Sequence, residues 1–214
     1  MNGASGHRGR FITLEGGEGV GKSTQLRLLA RALRERGVEV VETREPGGTE
    51  GAEAIRALLL GGSADRWNAR AETLLFAAAR ADHVAKLIRP ALERGAWVLC
   101  DRFIDSNRAY QAQASGVADA DVMAAHAIGS GGLMPDRTLL LSLPLEIASR
   151  RAALRDAGRT DRFGARGQEF HQRVCAAFMA QAEREPERFR IIDASASENE
   201  VAARLLDAIA DLLP

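Results

Sequence analysis

Residues 16–23 read GGEGVGKS and fit the pattern G-x-x-x-x-G-K-[ST], which constrains the fold more than any other stretch of the chain. An apolar run, FITL at 11–14, precedes this pattern, and an amphipathic run that begins TQL at 24–26 follows it. This is the order of strand, loop and helix in which the pattern cradles phosphate. The glycines let successive backbone N–H groups turn toward an anion, and the dipole of the following helix favours the same charge. We therefore expect an α/β core with a phosphate-binding loop, or P-loop, at 16–23.

Lysine is scarce in this chain, which makes a chance match to the pattern rare. Of 29 basic residues only Lys22 and Lys86 are lysines, so a random match is expected in roughly one such chain in several hundred. Lys22 is expected to reach the β- and γ-phosphates of a nucleotide, and the Ser23 hydroxyl to hold Mg²⁺. The residues expected to bind the nucleotide here are Gly16, Gly17, Glu18, Gly19, Val20, Gly21, Lys22, Ser23 and Thr24.

Composition narrows the class of protein. The 214 residues, 46% of them hydrophobic, are enough for one α/β domain with a sizeable core. Acidic and basic residues balance at 29 each, which argues against a nucleic-acid or membrane surface held by bulk charge. No apolar stretch approaches the ~20 residues of a bilayer-spanning helix. Cys100 and Cys175 lie far apart without metal-ligand spacing, so we expect buried, reduced thiols in a cytoplasmic protein.

Short apolar runs alternate with longer helical patterns, which is typical of a parallel sheet with helices on both faces. The apolar runs predict five strands, over residues 10–15, 39–43, 97–101, 137–143 and 189–193. Helices are expected over residues 22–36, 50–60, 70–93, 106–114, 119–128, 145–155, 167–185 and 198–213. Within the third of these helices, Pro90 is expected to cause a kink or a break.

The same patterns predict the domain organisation. Residues 1–9 are polar and Gly-rich without an apolar signal core, and we expect a flexible tail there. No linker or internal repeat divides residues 10–214, which are expected to form a single domain. The Gly- and Arg-rich stretch 155–167 is expected to be an exposed, mobile segment of that domain.

Charged residues follow two of the predicted strands. In an open α/β sheet, ligands bind outside the carboxyl ends of the strands, and Asp101 and Arg102 stand at such an end after the apolar run WVLC. Asp101 is placed to orient Mg²⁺, often through water, and Arg102 to clamp an anion bidentately. Arg44 leaves another strand end and suggests a second arginine on the same phosphate. The alternative is a helix-capping aspartate beside a solvent-facing arginine.

Phe76 and Arg80 stand four residues apart on a predicted helix, so their side chains share one face. An aromatic plane and a guanidinium one turn apart can stack on a base and bond its edge. Taken alone, such a pair is more often one core residue and one surface residue.

Four of these motifs together resemble the thymidylate kinase family. They are the P-loop, the run TREPGGT at 43–49, Phe76 with Arg80, and the run DRFIDSNRAYQ at 101–111. The resemblance extends from about Arg10 to the C-terminus, and the second and fourth motifs are specific to this family rather than shared by all P-loop kinases. It implies a P-loop kinase fold, with a five-stranded parallel sheet flanked by helices on both faces.

The resemblance also implies roles for individual residues. Phe76 would stack on thymine, Arg80 would bond its carbonyl edge, and Tyr110 would crowd the 2′ position of the sugar. Glu18 would contact the 3′-hydroxyl and Asp101 would belong to the Mg²⁺ shell. The residues implied in binding the acceptor are Glu18, Arg44, Phe76, Arg80, Arg102, Ser106, Asn107, Tyr110 and Gln111.

In thymidylate kinases the segment that matches 155–167 resembles a lid over ATP. The P-loop interior, GEGV at 17–20, contains no basic residue, so the charge that stabilises the transferring phosphoryl group is expected to come from the lid. This resembles the bacterial type, in which Arg155 or Arg159 would be the catalytic arginine beside Lys22, Arg102 and Asp101, and Arg151 would contact the nucleotide. One departure is Gly164, which follows Asp-Arg-Phe where the family often has Glu, and it leaves the register of the lid open.

The activity that the resemblance implies is phosphorylation of dTMP to dTDP with ATP and Mg²⁺, in the dTTP synthesis pathway. It further implies a cytoplasmic homodimer whose partners are small-molecule substrates, with no nucleic acid or membrane. Three alternatives stay open at this point: a kinase for another nucleoside monophosphate, an ATP-driven switch protein, and an inactive nucleotide-binding relic.

Overall fold

A computed structural model describes residues 8–63, 65–156 and 161–213, and for residues 155 and 156 it describes the backbone alone. Five strands form one sheet: β1 (Phe11–Glu15), β2 (Val40–Arg44), β3 (Trp97–Asp101), β4 (Arg137–Ser142) and β5 (Phe189–Asp193). Their order across the sheet is β2-β3-β1-β4-β5, and every adjacent pair is parallel. The predicted five-stranded parallel sheet is confirmed, with strand boundaries within one residue.

The helices connect these strands in the expected order. They are α1 (Lys22–Arg34), α2 (Glu50–Leu60), α3 (Ala69–His83), α4 (Arg89–Glu93), α5 (Ile104–Asn107), α6 (Asp119–Ser130), α7 (Leu145–Asp156), α8 (Gln168–Arg184) and α9 (Glu198–Asp207). Two π-helical stretches, Val84–Ile88 and Arg108–Gln113, and a 3₁₀ turn, Ala210–Leu212, complete the regular structure. Among the described residues, no helix combines the length and the apolar character needed to cross a bilayer.

Alternate residues of each strand pack on opposite faces of the sheet, as the two-residue period of a strand requires. In β1, Ile12 and Leu14 belong to the apolar cluster that α1 and α9 complete, whereas Phe11 packs with residues 84–92 and with Phe103 on the other face. A third cluster on that second face joins Leu140 of β4 to α8. Both faces of the sheet are therefore covered by helices.

Pro90 does not break the helical segment in which it lies. The π-helical stretch Val84–Ile88 leads directly into α4, where Pro90 occupies the first turn. Proline has no N–H and its ring crowds the carbonyl of the preceding turn in a regular helix. The wider π turn before it accommodates the ring, so the helical segment is not broken at Pro90, and the irregularity takes the form of that π turn.

Four further expectations need correction. The helix predicted over 106–114 begins at Ile104 and changes to a π-helical stretch at Arg108, and the helix predicted to end at 213 ends at Asp207. Both cysteines are free, but Cys175 is only half-buried. The described part of the predicted exposed segment, 161–167, buries Arg162 and Phe163, which are 3% and 6% exposed.

The residue pairing between β1, β2 and β3 aligns the carboxyl ends of these three strands. Asp101 of β3 is paired with Leu14 of β1 on one side and with Arg44 of β2 on the other. The P-loop begins two residues after Leu14, at Gly16. The carboxyl ends of β1, β2 and β3 therefore present the P-loop, Arg44 and Asp101 at the same edge of the sheet.

Candidate active site

The P-loop turns from β1 into α1 through glycines with left-handed backbone angles. Gly16 and Gly19 have φ of +134° and +74°, values that side chains other than glycine rarely adopt. A Cβ at Gly19 would lie 2.1 Å from the Ala148 carbonyl oxygen, and one at Gly16 would lie 2.4 Å from that of Leu141. The loop thus packs directly on the backbones of β4 and α7, which explains both glycines by contact as well as by conformation.

Lys22 is held inside this loop. Its Nζ donates to the carbonyl oxygens of Gly17 and Gly16, at 2.7 and 3.2 Å, and the side chain is buried. Burial lowers the pKa of Lys22, and the nearby charge of Arg102 lowers it further. The amine is therefore anchored at the centre of the loop, ready to exchange carbonyl partners for phosphate oxygens.

Ser23 and Asp101, both proposed from the sequence as Mg²⁺ residues, are in direct contact. The Ser23 hydroxyl donates to Asp101 Oδ2 at 2.6 Å. Hydroxyl and carboxylate oxygens are the hard ligands that Mg²⁺ prefers, and this ion is commonly bound by one or two protein groups together with water and substrate phosphates. The described residues contain no cluster of three or more His, Cys, Asp or Glu side chains that could enclose a metal alone. The pair fits an ion that arrives with a nucleotide.

Arg102 connects the P-loop to the 104–113 helical segment. One guanidinium nitrogen, Nη1, donates to the Gly16 carbonyl and to Ser106 Oγ, both at 3.0 Å. The other, Nη2, donates to Glu18 Oε1 at 2.7 Å and to the Tyr110 hydroxyl at 3.3 Å. The backbone of Arg102 has φ +71°, a left-handed conformation that costs an ordinary residue roughly 1 kcal/mol or more. These four contacts offset that cost and aim the guanidinium at the loop.

The candidate base-binding side chains form one hydrogen-bonded chain. Arg80, only 2% exposed, donates from Nη2 to Asn107 Oδ1. Asn107 Nδ2 donates to Gln111 Oε1 at 2.9 Å. The Phe76 ring lies beside this chain, 5.9 Å from the centroid of Phe163. The alternative interpretation of the Phe76 and Arg80 pair, in which Arg80 is a surface residue, is wrong because the Arg80 guanidinium is buried in this network.

Sequence reasoning missed the carboxylate that holds Arg80. Glu45 Oε2 accepts from Arg80 Nε at 2.8 Å, and Glu45 Oε1 lies 3.1 Å from His83 Nδ1. His83 Nε2 in turn lies 2.7 Å from Thr43 Oγ1. The position of Glu45 inside the 43–49 motif was visible in the sequence, but its burial beside Arg80, which makes a partner necessary, was not. Glu45 therefore orients the guanidinium that faces the candidate base site.

Arg44 lines the same cavity, and so does Arg56, a residue that sequence reasoning missed. Arg44 Nη2 donates to Glu53 at 3.1 and 3.3 Å, and Arg56 Nη1 donates to the Pro46 carbonyl at 2.6 Å. Burial lowers the pKa of Arg56, and repulsion by Arg44 adds to this. Because Arg44 and Arg56 repel each other and line the same cavity as Arg102, the positive charge of these three side chains favours binding of an anion there.

One cavity collects most of the predicted residues. Its lining contains Glu18, Lys22, Ser23, Arg44, Phe76, Arg80, Asp101, Arg102, Ser106, Asn107, Tyr110 and Gln111. Thr24 and Arg151 line a separate cavity, with Gly19, Val20 and Gly21 of the P-loop. A third cavity lies between the P-loop residues Gly17 and Glu18 and the segment that includes Asp161 and Arg166. Arg159 lies outside the described residues, and of Arg155 only the backbone position at the end of α7 is described.

The segment 161–167 borders the first cavity and is only partly exposed, since Arg162 and Phe163 are buried whereas residues 161, 165 and 167 are exposed. Phe163 and Asp161 contribute to the cavity lining. Arg162 donates to the Leu59 carbonyl at 2.9 Å and to Glu72 Oε1 at 2.7 Å. Arginines in such a run are usually solvated, but the buried carboxylate of Glu72 compensates the charge of Arg162, which is why the predicted exposure is wrong for this residue.

Glu15 gives the site a pH-dependent stability. It is fully buried at the end of β1 and accepts hydrogen bonds from Phe103 N at 2.7 Å and Ser106 Oγ at 2.6 Å. Burial, with repulsion by Asp105, raises the pKa of Glu15 from 4.5 to about 7. Since the folded protein holds this proton more tightly than the unfolded chain, the stabilisation is complete below pH 4.5 and is lost as the pH rises through 7.

Glu15→Gln removes this titration. We expect the free energy of unfolding of the variant, relative to the parent protein, to rise by roughly 2–3 kcal/mol between pH 4.5 and pH 8. Urea denaturation at the two pH values measures this difference. Glu50→Gln, at an exposed position on α2, is the control that should show no such rise, and a pH-independent difference for Glu15→Gln would contradict the assignment.

Comparisons with known proteins agree with this geometry. The sequence profile of the family described as Thymidylate kinase matches residues 14–205. A thymidylate kinase of Rhizorhabdus wittichii is 63% identical over 206 residues, covering 96% of this chain and 99% of the relative. One of Caulobacter vibrioides is 50% identical over 209 residues, covering 96% and 98%. The crystal structure of thymidylate kinase from Ehrlichia chaffeensis superposes with a TM-score of 0.76 at 32% identity, covering 94% of this chain and 99% of that one. On sequence and on fold alike, the chain belongs to the thymidylate kinase family.

Proposed function

We propose that the protein transfers the γ-phosphoryl group of ATP to the phosphate of dTMP, giving ADP and dTDP for dTTP synthesis. Membership of the family supports dTMP as the acceptor. The observation that carries the proposal is the shared cavity, which contains the phosphate-side residues Lys22 and Asp101 and the base-side residues Phe76 and Arg80. One cavity can therefore hold a nucleotide base at one end and two phosphates in contact at the other.

The acceptor needs orientation more than activation. The dTMP phosphate is already anionic, so no general base is required, and catalysis is mostly positioning and neutralisation of charge. Arg102 and Arg44 bind the acceptor phosphate, Glu18 contacts the 3′-hydroxyl, and Lys22 binds the donor phosphates. Ser23 and Asp101 would hold Mg²⁺, which would neutralise charge between the two polyanions. Arg155 or Arg159 supplies the remaining positive charge at the transferred group.

Base selection rests on the direction of hydrogen bonds. A guanidinium only donates hydrogen bonds. Arg80 therefore binds a base that carries a carbonyl oxygen, such as O4 of thymine, and disfavours cytosine, which has an amino group at that position. Phe76 stacks on the ring, and Asn107 with Gln111 completes the edge contacts. Because Glu45 already binds the opposite side of Arg80, the donor direction is set before the base arrives.

The first test compares acceptors. A coupled assay for ADP release with ATP and Mg²⁺ is run on dTMP, dUMP, dCMP, dGMP, AMP and no acceptor. Strong turnover with dTMP and little without acceptor is the expected result. Turnover on another monophosphate would mean that the protein is a kinase whose base site is wrongly assigned. ADP release at the same rate with and without an acceptor would indicate an ATPase or a switch protein.

Tyr110 provides a prediction on sugar selectivity. Its ring is buried beneath the Arg102 guanidinium, 5.2 Å from the ring centroid, and we propose that it blocks a 2′-hydroxyl sterically. Tyr110→Ala should raise the ratio of kcat/KM on ribo-TMP to that on dTMP by about tenfold or more. Tyr110→Phe keeps the ring and should leave the ratio unchanged. A ratio that Tyr110→Ala does not move would remove Tyr110 from this role.

We further propose a cytoplasmic homodimer in which residues 155–167 act as a lid. Support for the dimer comes from two exposed apolar side chains, Leu74 on α3 at 65% and Ile128 on α6 at 89%. Such residues on adjacent helices suit a contact between copies of the chain. Sedimentation of the parent protein and of Leu74→Glu tests this: a dimer should dissociate in the variant.

A further inference from the structure

Glu72 on α3 connects two parts of the site that sequence reasoning treated separately. The residue is fully buried. Its Oε2 accepts from Gln111 Nε2 at 2.9 Å, while its Oε1 accepts from Arg162 Nη2 and from Arg166 Nη2, both at 2.7 Å. A single carboxylate therefore binds one base-site amide and both described arginines of the segment 161–167.

The bond to Gln111 fixes the direction of the base-site chain. An ionised carboxylate only accepts, so Gln111 must turn its NH₂ group toward Glu72 and its oxygen toward Asn107. Asn107 then presents its own oxygen to Arg80, whose other side is bound by Glu45. Two buried carboxylates, Glu72 and Glu45, thus set which way both amides point.

The bonds to the arginines fix the segment. Arg162 also donates to the Leu59 and Ser63 carbonyls, and Arg166 lies over the rings of Phe163 and Phe170, at 4.9 and 4.5 Å from their centroids. The segment borders the acceptor cavity through Phe163. It borders the cavity on the other side of the P-loop through Arg166. What holds the segment therefore shapes both cavities.

We propose that Glu72 is a positioning residue that couples binding at the acceptor-base side to binding at the donor-phosphate side. The inference rests on the proposed function, since it takes Gln111 as part of the base site. This chain of bonds is already formed without a nucleotide, and an acceptor that binds Gln111 stabilises further the arrangement in which Glu72 holds Arg162 and Arg166. Such coupling is reciprocal, so each nucleotide tightens the binding of the other.

The test measures that coupling by calorimetry. The dissociation constant of a non-hydrolysable ATP analogue is determined with and without saturating dTMP, in the presence of Mg²⁺. In the parent protein dTMP should tighten the analogue by about 5–150-fold. In Glu72→Gln, which keeps the shape and removes the charge, the factor should fall to within about twofold of one. A parent protein without coupling, or a variant that retains it, would overturn the proposal.

Two further variants separate positioning from a folding defect. Glu185 also binds two arginines, Arg108 and Arg188, each at 2.6 Å, and lies outside all three nucleotide cavities described above; Glu185→Gln should keep the coupling factor of the parent. Arg166→Met leaves the bonds of Glu72 to Gln111 and Arg162 in place. It should lose the coupling while the dissociation constant of dTMP alone stays within about threefold, and it remains decisive if Glu72→Gln does not fold.

The controls also separate this inference from the proposed function. If the parent protein fails to bind dTMP at all, the acceptor assignment is wrong. If dTMP binds and the coupling factor is the same in the parent, Glu72→Gln and Arg166→Met, the function stands and the role of Glu72 is wrong.

Discussion

Lys22→Ala is expected to lower kcat by at least about a thousandfold, because the amine stabilises charge that develops on the donor phosphates during transfer. The dissociation constant of dTMP should stay within about threefold, since Nζ is held by the Gly16 and Gly17 carbonyls on the P-loop side of the cavity. Steady-state ADP release measures kcat, and calorimetry with dTMP alone measures acceptor binding. Together, kcat and the dissociation constant of dTMP distinguish a defect in phosphoryl transfer from a defect in acceptor binding.

The chain offers a matched control in its second lysine. Lys86 is exposed and pairs with Asp82 one helical turn away, so Lys86→Ala should leave kcat and dTMP binding close to those of the parent. If Lys22→Ala instead lost dTMP affinity and kept its kcat at saturating acceptor, the donor and acceptor ends of the cavity would have to be exchanged.

Arg155→Ala and Arg159→Ala are expected to have the second largest effect. The P-loop contains no basic residue between Gly17 and Val20, and we propose that a lid arginine offsets the charge of the transferring phosphoryl group instead; arginines in this role contribute on the order of 10³–10⁵ in rate. One of the two variants should lower kcat by about 10³, and the double variant should be no more active than that one. The KM for dTMP should change little.

The position of α7 is consistent with a lid arginine close to the P-loop. The backbone of α7 meets the P-loop at Gly19, and Arg151 of that helix lines a cavity with the same loop. Arg155 follows Arg151 by one helical turn. Arg150→Ala, at an exposed position on the same helix, is the control and should stay within about threefold of the parent. The hypothesis fails if both single variants and the double variant keep kcat within a few-fold.

The sheet and the phosphate end of the site could be predicted because their signals are local. The P-loop pattern names Lys22 and Ser23 by position, and Asp101 follows an unbroken apolar strand. Parallel strands present their carboxyl ends at one edge, so the meeting of Ser23 and Asp101 follows from two short stretches of sequence. No knowledge of packing between distant side chains was needed.

The buried carboxylates could not be predicted in the same way. Glu45 and Glu72 are acidic residues in a turn and a helix, where the sequence pattern favours a solvated side chain. Their burial depends on arginines that lie far away in sequence, with Arg80 35 residues beyond Glu45 and Arg162 90 residues beyond Glu72. The same long-range pairing explains why Arg162 was expected to be exposed.

The π-helical stretches escaped prediction for another reason. Hydrophobic periodicity distinguishes a helix from a strand, but it does not resolve a single widened turn. In Val84–Ile88 and Arg108–Gln113 the backbone hydrogen bonds span five residues instead of four, and no residue type in the sequence specifies that difference.

The chain of hydrogen bonds from Glu45 to Glu72 restricts how the acceptor preference of this protein could evolve. Replacing Arg80 alone to admit an amino-bearing base would leave Glu45 buried opposite His83 without its guanidinium partner, and would release Asn107 from its fixed orientation. Removing one member of such a buried pair costs about 3–5 kcal/mol, a large part of the stability of an ordinary domain. A change of substrate would therefore have to pass through a destabilised intermediate or alter several of these positions together.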